Sequence, residues 1–222
     1  MLAELESSLS SLSHSEDAIH AVQEFCKKLD GTQARIALWN SINAIVQPPI
    51  EPGTVNALGF NTPDDEFVLL QGDVVRTESA FFLGERITGH PKYAVLNSSC
   101  DLVPGRTSYS SLLRILEIRR SDPGAKANLG QLLKFTRRDS MYLPPLPDDH
   151  EEVIGNVIQF EGAYQIQTAN LLLANRIASL SLVGWRIFAS FARIVVARAS
   201  AREVEIRSAI EKQKVSGPGT HI

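Results

Sequence analysis

One run of residues constrains the fold more than any other. It is Lys92-Tyr93-Ala94-Val95-Leu96 leading into Asn97-Ser98-Ser99-Cys100-Asp101-Leu102. β-Branched, aromatic and aliphatic residues that end at a cluster of Asn and Ser read as a buried strand followed by a polar turn. Pro91 suits the start of such a strand, because proline has no N–H to give to a ladder. The turn puts Cys100 and Asp101 at or near a sheet end, where loops usually hold functional groups. A neighbouring carboxylate raises a thiol's pKa and disfavours the thiolate. The pair therefore reads first as a small buried thiol, with Asp101 capping the turn through its own backbone.

Short strands surround this run. Phe67-Val68-Leu69-Leu70, Val74-Val75, Phe81-Phe82-Leu83 and Leu112 to Ile118 are separated by turn residues at Gly72-Asp73, Gly84-Glu85 and Pro104-Gly105. Such spacing points to a small barrel or sandwich. Downstream, Leu129 to Phe135 reads as a short helix and Met141 to Pro147 as an extended segment, since each proline biases its neighbour away from helix. Val153 to Phe160 and Ala163 to Ile166 have strand character, while Asn170 to Ala178 fits either strand or helix. Ser181 then caps a long helix whose stripe includes Trp185, Phe188 and Phe191.

The N-terminal segment is helical in pattern. Leucines at 2, 5, 9 and 12 mark a short amphipathic helix or a docking arm. Ser13-x-x-Glu16 matches a capping box ahead of Ala18, Ile19, Val22, Phe25 and Cys26. Asp30-Gly31 closes that helix, and Thr32 caps the next, which Gln47-Pro48-Pro49 ends. The organisation expected is a helical region over 1–46, a Pro- and Gly-rich linker over 47–66, a β-barrel-like domain with its C-terminal helix over 67–212, and a flexible tail over 213–222.

Several functions are excluded or unsupported. The net charge of −3 leaves a nucleic-acid surface only as a local patch. Cys26 and Cys100 form no disulfide framework, which fits a reducing cytosol. The acidic N-terminus lacks the basic and apolar regions of a signal peptide. The apolar run from Leu171 to Val196 is broken by Asn175, Arg176, Arg186 and Arg193, whereas a span needs about 20 mostly apolar residues. A cytoplasmic protein without membrane contact is expected. His14, His20, His90, His150 and His221 show no ligand spacing, so neither a metal nor a cofactor is expected. No Walker loop, G-x-G-x-x-G or G-x-S-x-G is present. Carboxylates at Asp73, Glu85, Asp101 and Glu117 are dispersed along the chain.

Two basic features remain. Lys134, Arg137 and Arg138 precede Tyr142, and basic residues beside an aromatic suit single-stranded nucleic acid. Arg186, Arg193, Arg198, Arg202 and Arg207 share the last helix with Glu203, Glu205 and Glu211, a mixture typical of a solvated, ion-paired face.

Gln71-Gly72-Asp73-Val74-Val75, followed by Gly89-His90-Pro91-Lys92-Tyr93-Ala94-Val95-Leu96-Asn97, resembles the opening of the MazF/PemK toxin barrels. Ala174 to Ser181 is similar to their final strand, with an insertion around 120–150. The Asn97 to Leu102 turn also resembles a pattern in uncharacterised bacterial proteins, some associated with toxin–antitoxin or phage-defence loci. The resemblance implies an SH3-like barrel, so the fold expected is α+β: a small SH3-like β-barrel or curved antiparallel sheet, with the N-terminal helical hairpin and long C-terminal helix read from the periodicity. It also implies a dimer or protein partner and RNA across one face. The family ribonucleases use an arginine before the proline and a Ser or Thr on the next strand. Here His90 stands before Pro91, and the next strand reads Leu113-Arg114-Ile115-Leu116-Glu117. The departure favours a non-catalytic barrel that binds a macromolecular partner. The alternatives are a ribonuclease using His90, Cys100, Asp101 and Arg114, and a thiol sensor centred on Cys100.

Limited proteolysis is expected to cut first between Gln47 and Asp65, where proline and glycine replace apolar periodicity. Cleavage elsewhere, with this stretch protected, would place the segment inside the folded unit.

Overall fold

A computed structural model describes residues 1–12, 14–51, 54 and 69–196. The strand expected at Phe67-Val68, most of the 47–66 linker, Arg198, Arg202, Arg207 and the 213–222 tail lie outside the described residues.

Among the described residues, six α-helices and one large antiparallel sheet make an α+β fold. The helices are α1 (Leu2–Ser10), α2 (Glu16–Lys27), α3 (Gly31–Trp39), α4 (Ala125–Leu132), α5 (Thr168–Leu172) and α6 (Leu182–Val196). The strands are β1 (Val46–Gln47), β2 (Val74–Arg76), β3 (Phe81–Phe82), β4 (Glu85–Arg86), β5 (Lys92–Val95), β6 (Tyr109–Arg119), β7 (Ser140–Leu143), β8 (Val153–Gln159), β9 (Tyr164–Gln167) and β10 (Asn175–Leu180). They pair in the order β1-β10-β2-β5-β6-β9-β3-β4, and β7 adds to β8 beside β6.

The sheet forks on β6. One half of β6 pairs Ile115 with Ile158 and Ile118 with Gly155 of β8, while the other pairs Ser110 with Ile166 and Leu112 with Tyr164 of β9. Strands β8 and β9 thus lie end to end along one edge of β6, interrupted by a turn at Glu161-Gly162. The sheet is antiparallel in every described pairing, and it does not close into a barrel.

Alternation along β2, β5 and β6 sorts the core onto two faces. Val74, Ala94, Leu113 and Ile115 belong to the larger core, with α1, α2, α4 and α6. Val75, Tyr93, Val95 and Leu112 belong to a smaller one, with Tyr164, Ile166 and Leu171. An aromatic chain crosses the larger core. Trp39 lies 5.2 Å from Phe135 between ring centroids, and Phe160 lies 5.4 Å from Phe191 and 5.6 Å from Phe188. The stripe expected on α6 thus packs inward: Phe188 and Phe191 are fully buried and Trp185 is half-buried. Ser181 caps the helix as expected, its hydroxyl accepting the Gly184 N–H at 3.0 Å.

The N-terminal region differs from expectation in detail. It has three helices, α1 joining the α2–α3 pair expected as a hairpin. Leu5 and Leu9 of α1 are buried in the common core, so α1 is no free docking arm. The cap of α2 is Ser15, whose side chain accepts the Ala18 N–H, rather than Ser13. Thr32 lies inside α3, which begins at Gly31. α4 starts at Ala125, earlier than the Leu129 expected. The ambiguous stretch from Asn170 resolves into the end of α5 and the strand β10.

α6 starts close against the chain that enters β1, which pairs Val46 with Leu180 of β10. A Cβ on Gly184 would sit 2.2 Å from the Ile45 carbonyl oxygen. No helix among the described residues is long and apolar enough to cross a membrane.

Two substitutions test this packing. Phe188→Ala should cost about 3–5 kcal/mol in unfolding free energy, as buried Phe truncations do. Gly184→Ala should lower the unfolding midpoint although alanine is the better helix former, because the Ile45 backbone has nowhere to move. An unchanged midpoint in either variant contradicts the packing.

Candidate functional site

The site is built where β5 ends. Leu96 to Asp101 leaves the sheet as a turn whose last part, Ser99–Leu102, is a 3-10 helix. Gln71 fastens this turn to the helix layer. Its backbone N–H donates to Ser99 Oγ at 3.0 Å, and its side-chain nitrogen donates to the Leu96 carbonyl at 2.9 Å. Its side-chain oxygen accepts the Trp185 indole N–H at 3.2 Å. Asn97 fastens the turn to β6 by accepting the Ser111 N–H at 2.6 Å.

Below Gln71 lies Asp73, fully buried. Its carboxylate accepts the Leu70 N–H at 2.9 Å, Arg176 Nη1 at 2.9 Å and the Ser179 hydroxyl at 2.6 Å. Burial pushes the Asp73 carboxyl above its ordinary range, and these donors pull against that rise. Gly72 admits the close approach. Its φ is +85°, and a Cβ there would meet Leu180 Cδ1 at 2.4 Å.

These bonds leave two adjoining hollows of about 490 and 270 Å³, sharing Gln71 and Ser98. Leu96, Asn97, Ser98, Asp101 and Ser111 form one wall of the larger hollow. His14, Ala189, Ala192 and Arg193 line it from the helix layer. The His14 ring meets Trp185 edge-on at 5.1 Å, and its backbone N–H donates to Ser190 Oγ at 3.1 Å. Arg193 and Asp101 are exposed, and neither has an ion-pair partner among the described residues. The cleft therefore offers a cation, a carboxylate, amides and hydroxyls.

The residues expected from sequence to be catalytic are not brought together. His90 precedes β5 and Cys100 follows it, and β5 alone spans roughly 13 Å at about 3.3 Å per residue. His90 is exposed and faces Glu78, at 3.4 Å from Nδ1 to Oε1. Cys100 is exposed, not the buried thiol that the sequence favoured; the buried one is Cys26, whose thiol burial pushes up to about 11. Asp101 lines the cleft beside Cys100. Arg114 sits on β6 opposite Tyr93, and its Nε is buried without a hydrogen-bond partner among the described residues, as is the Tyr93 hydroxyl.

The basic patch expected around Tyr142 is spent internally. Arg137 pairs with Asp139 at 3.2 Å, and Arg138 with Glu16 at 2.5 Å. Tyr142 is fully buried, its hydroxyl donating to Asn40 at 2.6 Å, so its ring offers no stacking surface. Lys134 is half-buried and stands apart from these pairs. Among the described residues, no three His, Cys, Asp or Glu side chains are placed to hold a metal ion.

Sequence reasoning missed Gln71 and Asn97 as the fasteners and His14 as part of the wall. For Asn97 its place directly after the strand was the available signal; Gln71 lies 25 residues before Leu96 and gave none. For His14 there was none, since its contact with Ser190 spans 176 residues.

A second polar network lies at the other end of β5. The Lys92 ammonium is buried between Asp149 and Glu117, reaching the latter at 2.8 Å. Arg76, opposite Lys92 in the ladder, pairs with Asp148 at 2.7 Å. Partial burial alone would raise the Glu117 carboxyl, but Lys92 and Arg119 together hold it below its ordinary 4.5. A depressed folded pKa stabilises above the unfolded value and is lost as pH falls through the folded one. The stability gap between wild type and Glu117→Gln should therefore be full above about pH 4.5 and shrink in more acid solution. A gap that widens on acidification contradicts the pairing.

Compared with protein-family models, with curated proteins and with solved structures, the chain matches none.

Proposed function

We propose that this protein is a non-catalytic binding protein, an opened and degenerate relative of the MazF/PemK-like barrels, and that the cleft at the end of β5 receives a protein partner. One observation carries the reading. His90 and Cys100 lie at opposite ends of β5, and Arg114 is held beside Tyr93. General acid–base catalysis needs its groups within hydrogen-bond reach of one substrate, at about 2.6–3.2 Å or through one water. The polar atoms of Gln71 and the Asn97 side-chain oxygen are already committed to holding the turn. Arg193 and Asp101, by contrast, are exposed charges without partners among the described residues. A matched pair of opposite charges across a cleft suits recognition, where complementary charge sets orientation and on-rate. The bacterial toxin–antitoxin or phage-defence setting belongs to the same proposal.

Two measurements test it. Purified protein should leave single-stranded RNA intact, and His90→Ala and Arg114→Ala should change nothing. RNA cleavage that His90→Ala abolishes overturns the non-catalytic reading. Products of neighbouring genes, co-purified with the wild-type chain, should be lost with Arg193→Glu and regained when a complementary charge is reversed on the partner. Retention through Arg193→Glu and Asp101→Lys together removes the cleft from the interface.

A further inference from the structure

A second hollow, of about 560 Å³, opens between α3, α4 and the start of β8. None of these elements takes part in the cleft at the end of β5. Its volume is that of small-molecule pockets, about 300–1,000 Å³. Ile36, Leu129, Val153 and Ile154 give it an apolar wall, and Arg120 and Lys126 stand over it. Leu129 and Val153 are buried, so the floor is a fixed part of the core.

The charge there is unbalanced. Both cations are exposed, and neither has a carboxylate partner within ion-pair distance among the described residues. The pairs nearby go elsewhere: Glu117 takes Arg119 at 2.8 Å, and the Asp122 carboxylate accepts the Arg119 N–H at 2.7 Å. Lys126 also lies in the first turn of α4, a turn with no acidic residue and no side-chain cap. A cation at that position meets the positive end of the helix dipole, which favours anions instead. Folding alone gains nothing from placing two cations and an uncapped helix start beside an apolar hollow.

We infer that this hollow binds a small anionic amphiphile: an apolar body of a few carbons against Ile36, Leu129, Val153 and Ile154, with a carboxylate or similar head between Arg120 and Lys126. The apolar part contributes by leaving water, at about 25 cal/mol per Å² buried. The head relieves the positive potential and selects against neutral molecules of the same length.

Octanoate is a direct probe, with octanol as its neutral counterpart and acetate as the head alone. In methyl-labelled protein, octanoate should shift the signals of Ile36, Val153 and Ile154 saturably. Octanol and acetate should bind more weakly, and added salt should weaken octanoate. Arg120→Ala with Lys126→Ala should reduce octanoate affinity about five- to tenfold, two exposed ion pairs being worth that much together. Lys126→Gln, a milder change on an exposed side chain, should fall between. Absence of saturable shifts at millimolar octanoate overturns the inference. So do shifts confined to other methyls, octanol binding as tightly as octanoate, or Lys126→Gln binding octanoate unchanged. The partner assays on the β5 cleft are independent of each of these outcomes.

Discussion

The architecture hangs on one buried carboxylate. Asp73 sits at the start of β2 with no exposed surface, yet four parts of the chain meet around it. Its side chain takes donors from Leu70, Arg176 and Ser179. Its backbone carbonyl accepts the Val95 N–H at 3.0 Å, while the Gly72 N–H donates to the Val95 carbonyl at 2.8 Å. Ser179 passes the link onward by accepting the Ile50 N–H at 3.0 Å. Loop, β5, β10 and the chain leaving β1 are thus joined through one group. Burying a charge is costly, and only a full set of partners makes it tolerable. The residues that supply them come from distant parts of the sequence, so the network fixes topology as well as stabilising it.

The same economy supports the binding role proposed above over a catalytic one. Two buried charges among the described residues are paired: Asp73 with Arg176 at one end of β5, and Lys92 with Asp149 and Glu117 at the other. Both ends of β5 are pinned by these networks, and the turn beyond it is pinned again by Gln71 and Asn97. A nucleophile needs a base within reach and a site that excludes water. Cys100 is exposed at the outer edge of the turn, and His90 lies beyond the far end of the strand. What faces the hollow with free charge is Arg193 on α6 and Asp101 on the turn.

Local signals were legible in the sequence, and long-range ones were not. The strand at Lys92 to Val95, its polar turn, the Ser181 cap and the inward stripe of α6 follow from residue type and period. An open sheet was legible in the sequence only as one of two alternatives. Barrel and forked sheet share the same short alternating strands, and the difference lies in β8 and β9 both pairing with β6. The burial of Tyr142 and exposure of Cys100 went unread for a similar reason. Pro144 and Pro145 mark an extended segment either way, and only the pairing of β7 with β8 turns Tyr142 inward to Asn40. The ion pairs of Lys92 left no local signal either, because Asp149 and Glu117 arrive from elsewhere in the chain.

The most direct test of this account is the unfolding free energy of Asp73→Ala measured beside Asp73→Asn. Truncation leaves Arg176, Ser179 and the Leu70 N–H without their acceptor, a loss of about 3–5 kcal/mol for one broken buried pair. Asparagine keeps an oxygen for these donors and removes a charge that burial already disfavours, so it should lose clearly less. A large loss in Asp73→Ala, a smaller one in Asp73→Asn, and a changed Trp185 environment in the first are the results expected. An Asp73→Ala chain as stable as wild type, with Trp185 undisturbed, would contradict the claim that this carboxylate organises the fold and its cleft.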